Sequence, residues 1–138
     1  MILKKMTVPT ENIESEKLAN WLRLKGYMFT HIANESWLPP KVAMLAAKRK
    51  KRMWLSPWFP DFCIVLNINA LLFIELKRQI DYSKSTKGKK YSTISQEQIE
   101  WCQRLNECDN TQAEICYWAN EAIELIKRIE INKKEICE

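Results

Sequence analysis

The sequence predicts an α/β fold, with a central mixed β-sheet flanked by helices, in one domain that covers residues 1–138. Its 138 residues, 46% of them hydrophobic, are enough for one domain of ordinary size. Segments with helical periodicity alternate with short runs rich in β-branched and aromatic residues. Their order is helix, strand, helix, strand, strand, helix, strand, helix, which is typical of a mixed α/β or α+β domain.

The first part of the chain predicts two helices with a strand between them. Thr10 can cap a helix over Glu11–Lys25, and Gly26 stands where a glycine commonly follows a helix. Tyr27–Ala33 mixes aromatic and β-branched residues and predicts a short strand. The next helix is predicted over Lys41–Arg52, with an apolar first half and a basic second half.

A β-hairpin is predicted in the middle of the chain. Asp61–Asn67 and Leu71–Leu76 are short apolar segments, and Asn67-Ile68-Asn69 can form the turn between them. Ile80–Thr93 is polar and basic without periodicity, which predicts a loop.

The last third predicts helix, strand and helix. Ser95 and Gln98 have the spacing of a capping box, at the start of a helix that ends near Asn106. Glu114–Trp118 is predicted to be the last strand, and Asn120–Ile131 a final helix with one apolar face.

Charge and composition narrow the class of protein. The net charge is +5, but the segment Lys41–Lys90 carries +9 and the rest of the chain −4, which favours an anionic partner. The longest apolar runs fall far short of the ~20 residues that span a bilayer, and the N-terminus lacks the apolar segment of a signal peptide. Five cysteines without a C-x-x-C motif and a single histidine disfavour zinc. We therefore expect a cytoplasmic protein with free thiols and no membrane association.

The pattern with the most chemical content is Pro60-Asp61 followed by Glu75-Leu76-Lys77. In a hairpin the start of the first strand lies beside the end of the second, so Asp61 and Glu75 are expected at one end of the sheet. Glu75 and Lys77 are two residues apart and share a strand face. Two carboxylates with a lysine can bind Mg²⁺ and hydrolyse a phosphodiester. The alternative is that these are ordinary charged residues where strands meet solvent.

Five short stretches, in this order, carry a resemblance to a known family: Pro9-Thr10-Glu11 through Trp21-Leu22, His31-Ile32-Ala33-Asn34, Pro60-Asp61, Phe73-Ile74-Glu75-Leu76-Lys77, and Ile94-Ser95-Gln96-Glu97-Gln98. The chain resembles the VRR-NUC family of the PD-(D/E)xK nuclease superfamily, which includes small phage-like and repair nucleases. The resemblance implies a restriction-endonuclease-like core and DNA cleavage that depends on Mg²⁺ or Mn²⁺. It also implies a homodimer, a role in DNA repair or recombination, and for several members cleavage of branched DNA such as Holliday junctions.

The resemblance assigns roles to individual residues. Asp61 and Glu75 match the metal ligands of the family, and Lys77 matches its catalytic lysine. Gln98 matches the glutamine of the helix after the core strands, which contacts the active site or the scissile phosphate.

The family also has an acidic residue in its first helix, and here three glutamates compete for that place. They are Glu11, Glu14 and Glu16. We favour Glu14 as a metal ligand and catalytic residue because it shares a helix face with Leu18, which must pack on the sheet. The alternative for each is an exposed acid that favours a helix N-terminus.

His31 and Asn34 match a His-x-x-Asn segment of the family and are candidates to contact DNA, although a lone histidine is commonly structural. One stretch departs from the family, because bulky residues precede Asp61 where the family usually has glycine. Trp58 or Phe59 could pack on a partner or a base there, or could join Trp54 in a hydrophobic cluster.

Two basic segments flank the acidic pair in sequence and are candidates to bind DNA phosphates. The residues are Lys48, Arg49, Lys50, Lys51 and Arg52, and then Lys84, Lys87, Lys89 and Lys90. A solvated charged surface is the alternative. For the whole chain, the alternatives to a DNA endonuclease are a catalytically silent DNA-binding module and a protein-interaction module that uses the six tryptophans.

Overall fold

The computed structural model of the protein describes residues 9–32, 39–53, 56–79 and 93–137. Within these residues, the chain forms four helices and four strands in the predicted order. They are α1 (Glu11–Leu24), β1 (Met28–His31), α2 (Pro40–Arg52), β2 (Phe62–Leu66), β3 (Ala70–Leu76), α3 (Gln96–Asn106), β4 (Thr111–Cys116) and α4 (Ala119–Cys137). None of the helices in the described part of the chain is long and apolar enough to cross a membrane.

The strands form one mixed sheet in the order β1-β2-β3-β4. β1 pairs with β2 and β2 with β3 in antiparallel fashion, while β3 and β4 are parallel. A parallel pair needs a crossover connection, and α3 lies within it. The predicted fold class, a mixed sheet flanked by helices, is therefore confirmed.

Successive side chains of β3 point to opposite faces of the sheet and belong to two separate hydrophobic clusters. Leu72, Ile74 and Leu76 are buried in the main core together with side chains of α1 and α4. Phe73 belongs instead to a smaller cluster with Cys102 of α3 and Ala113 of β4. Since side chains alternate across a strand, Glu75 and Lys77 share the face of Phe73, which α3 covers.

Local signals set the ends of α1 and the turn of the β2–β3 hairpin as predicted. The hydroxyl of Thr10 accepts a hydrogen bond from the backbone N–H of Ile13 at 3.4 Å, which caps α1. Gly26 follows the helix with φ +78°, a conformation that glycine adopts without strain. Between β2 and β3, Asn69 turns the chain with φ 57°, which asparagine tolerates better than most residues. In contrast, β4 covers Thr111–Cys116 instead of the predicted Glu114–Trp118, and α4 extends to Cys137, beyond the predicted Ile131.

A side-chain contact that the sequence did not predict binds the backbone of β4, which is the last strand of the sheet in the described part of the chain. The side-chain amide of Asn106 donates to the carbonyl of Ala113 and accepts from its backbone N–H, both at 2.9 Å. Ala113 is buried, so these backbone groups need a partner.

Asn106→Ala is expected to lower the free energy of unfolding by about 1–2 kcal/mol, because it leaves both backbone groups of Ala113 without their partner. Urea unfolding measures the change. Gln103→Ala, at an exposed position of the same helix, is the control and should change stability by less than about 0.5 kcal/mol. Equal stability of the two variants would contradict the assigned role of Asn106.

Candidate functional site

The β2–β3 hairpin brings two carboxyl groups to one end of the sheet. Asp61 immediately precedes β2, and Glu75 is the second-last residue of β3. The backbone N–H of Leu76 donates to Oδ2 of Asp61 at 2.9 Å, which ties the start of one strand to the end of the next. The hairpin argument from the sequence predicted this proximity.

Two further polar side chains converge on Glu75. Nζ of Lys77 lies 3.4 Å from Oε1 of Glu75, and Nε2 of Gln98 donates to the same oxygen at 2.7 Å. Glu75 is 5% exposed and Lys77 7%, so the ion pair is almost completely removed from solvent. We call Asp61, Glu75, Lys77 and Gln98 together the acidic site.

A capping box fixes the amide of Gln98. Its Oε1 accepts from the backbone N–H of Ser95 at 3.0 Å, and its own backbone N–H donates to the hydroxyl of Ser95 at 3.1 Å. Because the amide oxygen is held at the helix N-terminus, the amide nitrogen points towards Glu75. The capping box was predicted from the spacing of Ser95 and Gln98, whereas a contact of Gln98 with the active site was expected only from the family resemblance.

Burial changes the acidity of both carboxyl groups. It is the main reason why the pKa of Glu75 rises to about 7, and the nearby charge of Asp61 adds to the rise while Lys77 opposes it. Burial also raises the pKa of Asp61, against the lowering effects of the Leu76 N–H, of Lys77 and of His31. Neighbouring carboxyl groups with raised pKa values are common at functional sites.

The donor set suits a hard divalent cation that keeps part of its water shell. Among the residues that the structure describes, no group of three or more His, Cys, Asp or Glu side chains could hold a metal ion. Mg²⁺ needs less than that, because proteins commonly bind it through one or two carboxylates while waters and substrate phosphates complete the shell. The Asp61–Glu75 pair fits this mode of binding.

The three glutamates of α1 lie in different surroundings. Glu14, the favoured candidate, is 2% exposed, and its Oε2 accepts from the backbone N–H of Ala119 at 2.7 Å, at the start of α4. It is thus engaged with a helix N-terminus. The charge of Glu11 acts on the acidic site instead, where it further raises the pKa of both carboxyl groups. Glu16 is exposed.

The predicted DNA-contact residues are only partly described. His31 is exposed, and its ring stacks on Phe62 with centroids 4.5 Å apart. All five basic residues at the end of α2 are exposed, and that helix has no buried residue. Asn34, Lys84, Lys87, Lys89 and Lys90 lie outside the described residues.

Aromatic side chains fill the turn that precedes Asp61. The ring of Phe59 contacts Phe73 and Trp101 edge to face, with centroids 5.5 and 5.0 Å apart. Phe59 therefore belongs to a hydrophobic cluster, which was one of the two predictions for this turn. Trp54 lies outside the described residues. Sequence reasoning missed Trp101, although it stands one helical turn after Gln98 and so shares its side of α3.

No model of a known protein family matches the chain, and no curated protein matches it either. Among solved structures, the chain is similar to a protein described as "VRR_NUC domain protein". The similarity covers 89% of each chain at 18% sequence identity, with a TM-score of 0.60. The two proteins therefore share a fold, in agreement with the resemblance drawn from the sequence.

Proposed function

We propose that this protein is a divalent-metal-dependent endonuclease that hydrolyses phosphodiester bonds in DNA. The observation that carries the proposal is the buried contact of Glu75 with Lys77, beside Asp61, at one end of the sheet. Ordinary charged residues at strand ends remain in solvent, whereas burying the Glu75 carboxyl group beside the partly buried Asp61 costs stability. Such a cost is expected where the groups serve a function. The fold shared with a VRR_NUC domain protein supports the same activity.

Asp61 and Glu75 are the residues that would hold Mg²⁺ or Mn²⁺. The ion would polarise the phosphodiester and lower the pKa of a bound water. We leave Glu14 out of the ligand set, because its carboxylate accepts a hydrogen bond at the start of α4. In its place we propose Glu11 as the acidic residue that α1 contributes to the site, because its charge raises the pKa of both Asp61 and Glu75.

The other two residues of the acidic site, Lys77 and Gln98, would orient the reacting groups and the metal ligands. The Lys77 ammonium can orient the attacking water by a hydrogen bond and can offset the negative charge that develops on the phosphate. Gln98 holds the Glu75 carboxylate through a hydrogen bond of 2.7 Å, and the N–H of Leu76 holds Asp61. Because these partners are themselves fixed in α3 and β3, both carboxylates are preorganised for an ion.

We also propose that the exposed basic residues at the end of α2 bind DNA phosphates, which can be tested separately from cleavage. Replacing Lys48 and Lys51 with alanine is expected to weaken DNA binding to a similar extent for all sequences, and to reduce the slope of log K against log salt by about 2. Fluorescence anisotropy at several salt concentrations measures this slope. Lys127→Ala, on α4, is the matched control and should leave the slope unchanged. An unchanged slope in the double variant would indicate that α2 does not contact phosphates.

A panel of labelled DNA structures tests the proposed activity. Duplex, nicked, flap and four-way-junction substrates are incubated with Mg²⁺ or Mn²⁺, and in parallel with EDTA. We expect cleavage that requires the metal and stops in EDTA. Salt-sensitive binding without any cleavage and without stabilisation by metal would favour the catalytically silent DNA-binding module instead.

We further propose that the protein acts as a homodimer on branched DNA, as the resemblance implies. Symmetric cleavage of two strands needs two active sites, which a twofold dimer supplies. Sedimentation equilibrium with and without a four-way junction tests this assembly. A monomer under both conditions would contradict it.

A further inference from the structure

Two exposed tryptophans lie next to the acidic site. We call Trp58, Phe59 and Trp101 the aromatic wall. The wall rests on Phe73 through Phe59, and Phe73 lies two residues before Glu75 on the same face of β3, a separation of about 6.6 Å along a strand. Trp101 shares α3 with Gln98, which touches Glu75. The wall is therefore built on the same elements as the acidic site.

Ser56 links the ring of Trp101 to the backbone of the turn that carries Trp58. Its hydroxyl accepts from Nε1 of Trp101 at 3.0 Å and from the backbone N–H of Trp58 at 3.4 Å. The turn before Asp61 is thereby attached to α3. A fixed aromatic surface loses little conformational entropy when a ligand binds to it.

The exposure of the tryptophans is higher than the packing of the cluster requires. Phe59 makes the ring contacts that join β3 to α3, yet Trp58 remains 40% exposed and Trp101 36%. Large aromatic rings are favourable to bury, so two of them that each keep more than a third of their surface exposed beside a charged site indicate a surface that a flat ligand covers.

The bases of DNA are flat ligands of this kind, but in a continuous duplex their faces are occupied by neighbouring bases. An unpaired base offers a free face, and its stacking on an aromatic side chain does not depend on sequence. We propose that Trp58, with Trp101 beside it, stacks on an unpaired base next to the scissile phosphate. The protein would then select DNA with unpaired nucleotides at the cleavage point over continuous duplex. This inference rests on the proposed nuclease function for its link to cleavage.

Stacking can be measured without cleavage. A short duplex carries 2-aminopurine either as a single unpaired base or paired with thymine, in EDTA, and a distant dye reports binding by anisotropy. At saturation we expect the protein to quench the unpaired probe and not the paired one, and Trp58→Ala to remove the quenching. Absence of quenching in a saturated complex, equal quenching by Trp58→Ala, or failure to bind the probe would each overturn the proposal.

Cleavage rates give the second test. The ratio of kcat/KM for bulged DNA to that for continuous duplex is expected to fall about tenfold in Trp58→Ala. Trp58→Phe should keep most of the preference, and Leu24→Ala, which removes an exposed apolar side chain at the end of α1, should keep all of it. Equal losses on both substrates would show a merely structural role and overturn the proposal.

The two tests separate failure of this inference from failure of the nuclease function. If the protein cleaves no DNA but Trp58 is still required for quenching, the stacking site is supported and the nuclease function is contradicted. If the protein cleaves DNA in the presence of metal but does not quench the probe, the nuclease function is supported and the stacking site is contradicted. If Trp58→Ala changes the sedimentation behaviour of the free protein but not the quenching, the wall is a protein interface and the proposal fails.

Discussion

Glu75→Gln is expected to abolish DNA cleavage, by at least about 1,000-fold, while the protein stays folded. The substitution removes one of the two carboxylates that would hold the metal, and metal stabilisation of a phosphodiester transition state amounts to several kcal/mol. Asn106→Ala, which lowers stability away from the acidic site, is the control and should keep its activity below its melting temperature. Full activity of Glu75→Gln would contradict the assignment of the site.

The same variant should be more stable than the natural protein at pH 8. The pKa of Glu75 rises to about 7 in the folded protein from 4.5, mainly through burial. The folded state therefore binds the proton more tightly than the unfolded state does. The stability that this proton contributes is complete below pH 4.5 and is lost as the pH rises through about 7.

Since glutamine carries no charge, Glu75→Gln avoids that loss. We expect a gain of about 1–3 kcal/mol at pH 8 that shrinks as the pH is lowered towards 4. Urea unfolding at the two pH values measures it. A variant that loses activity and gains stability is the signature of a functional group kept at the expense of the fold. A variant that is destabilised at pH 8 would indicate that the Lys77 ion pair outweighs burial.

Glu14→Ala is expected to have the opposite effect, with a loss of about 2–4 kcal/mol of stability and little loss of activity. The Glu14 carboxylate is buried and accepts from the first backbone N–H of α4. Removing it leaves that N–H unsatisfied and removes a charge-assisted hydrogen bond at the positive end of the helix.

Glu16→Ala is the matched control, because it changes an exposed glutamate of the same helix. It should alter stability by less than about 0.5 kcal/mol. Cleavage is assayed well below the melting temperature of each variant, and urea unfolding gives the stability. If Glu14→Ala unfolds like the natural protein but no longer cleaves DNA, Glu14 belongs to the active site after all.

The sequence was most informative where the signal is local or follows from strand pairing. The capping box of Ser95 and Gln98 depends on residues three apart, and the approach of Asp61 to Glu75 follows from the hairpin alone. For this reason the order of elements and the core of the acidic site were predictable.

Contacts between distant segments were not predictable. The choice among the α1 glutamates depends on where α4 begins, 105 residues after Glu14. A helical pattern could place Glu14 on the inner face, but it could not tell whether that face meets the sheet end or a helix terminus. Likewise, the hydrogen bond between Ser56 and Trp101 joins residues 45 apart. The sequence therefore indicated Trp58 and Phe59 as candidates to contact a base or to form a cluster, but it did not place Trp101 beside them.

Binding of Mn²⁺ to the free protein at pH 8, followed by the electron paramagnetic resonance of unbound Mn²⁺, tests the central claim most directly. At this pH Glu75 is mostly ionised, and a proton competes less with the metal. We expect the natural protein and Glu14→Gln to bind the ion, and Asp61→Asn and Glu75→Gln to lose that binding. Equal binding by all four proteins, or none by the natural one, would contradict a metal site at Asp61 and Glu75.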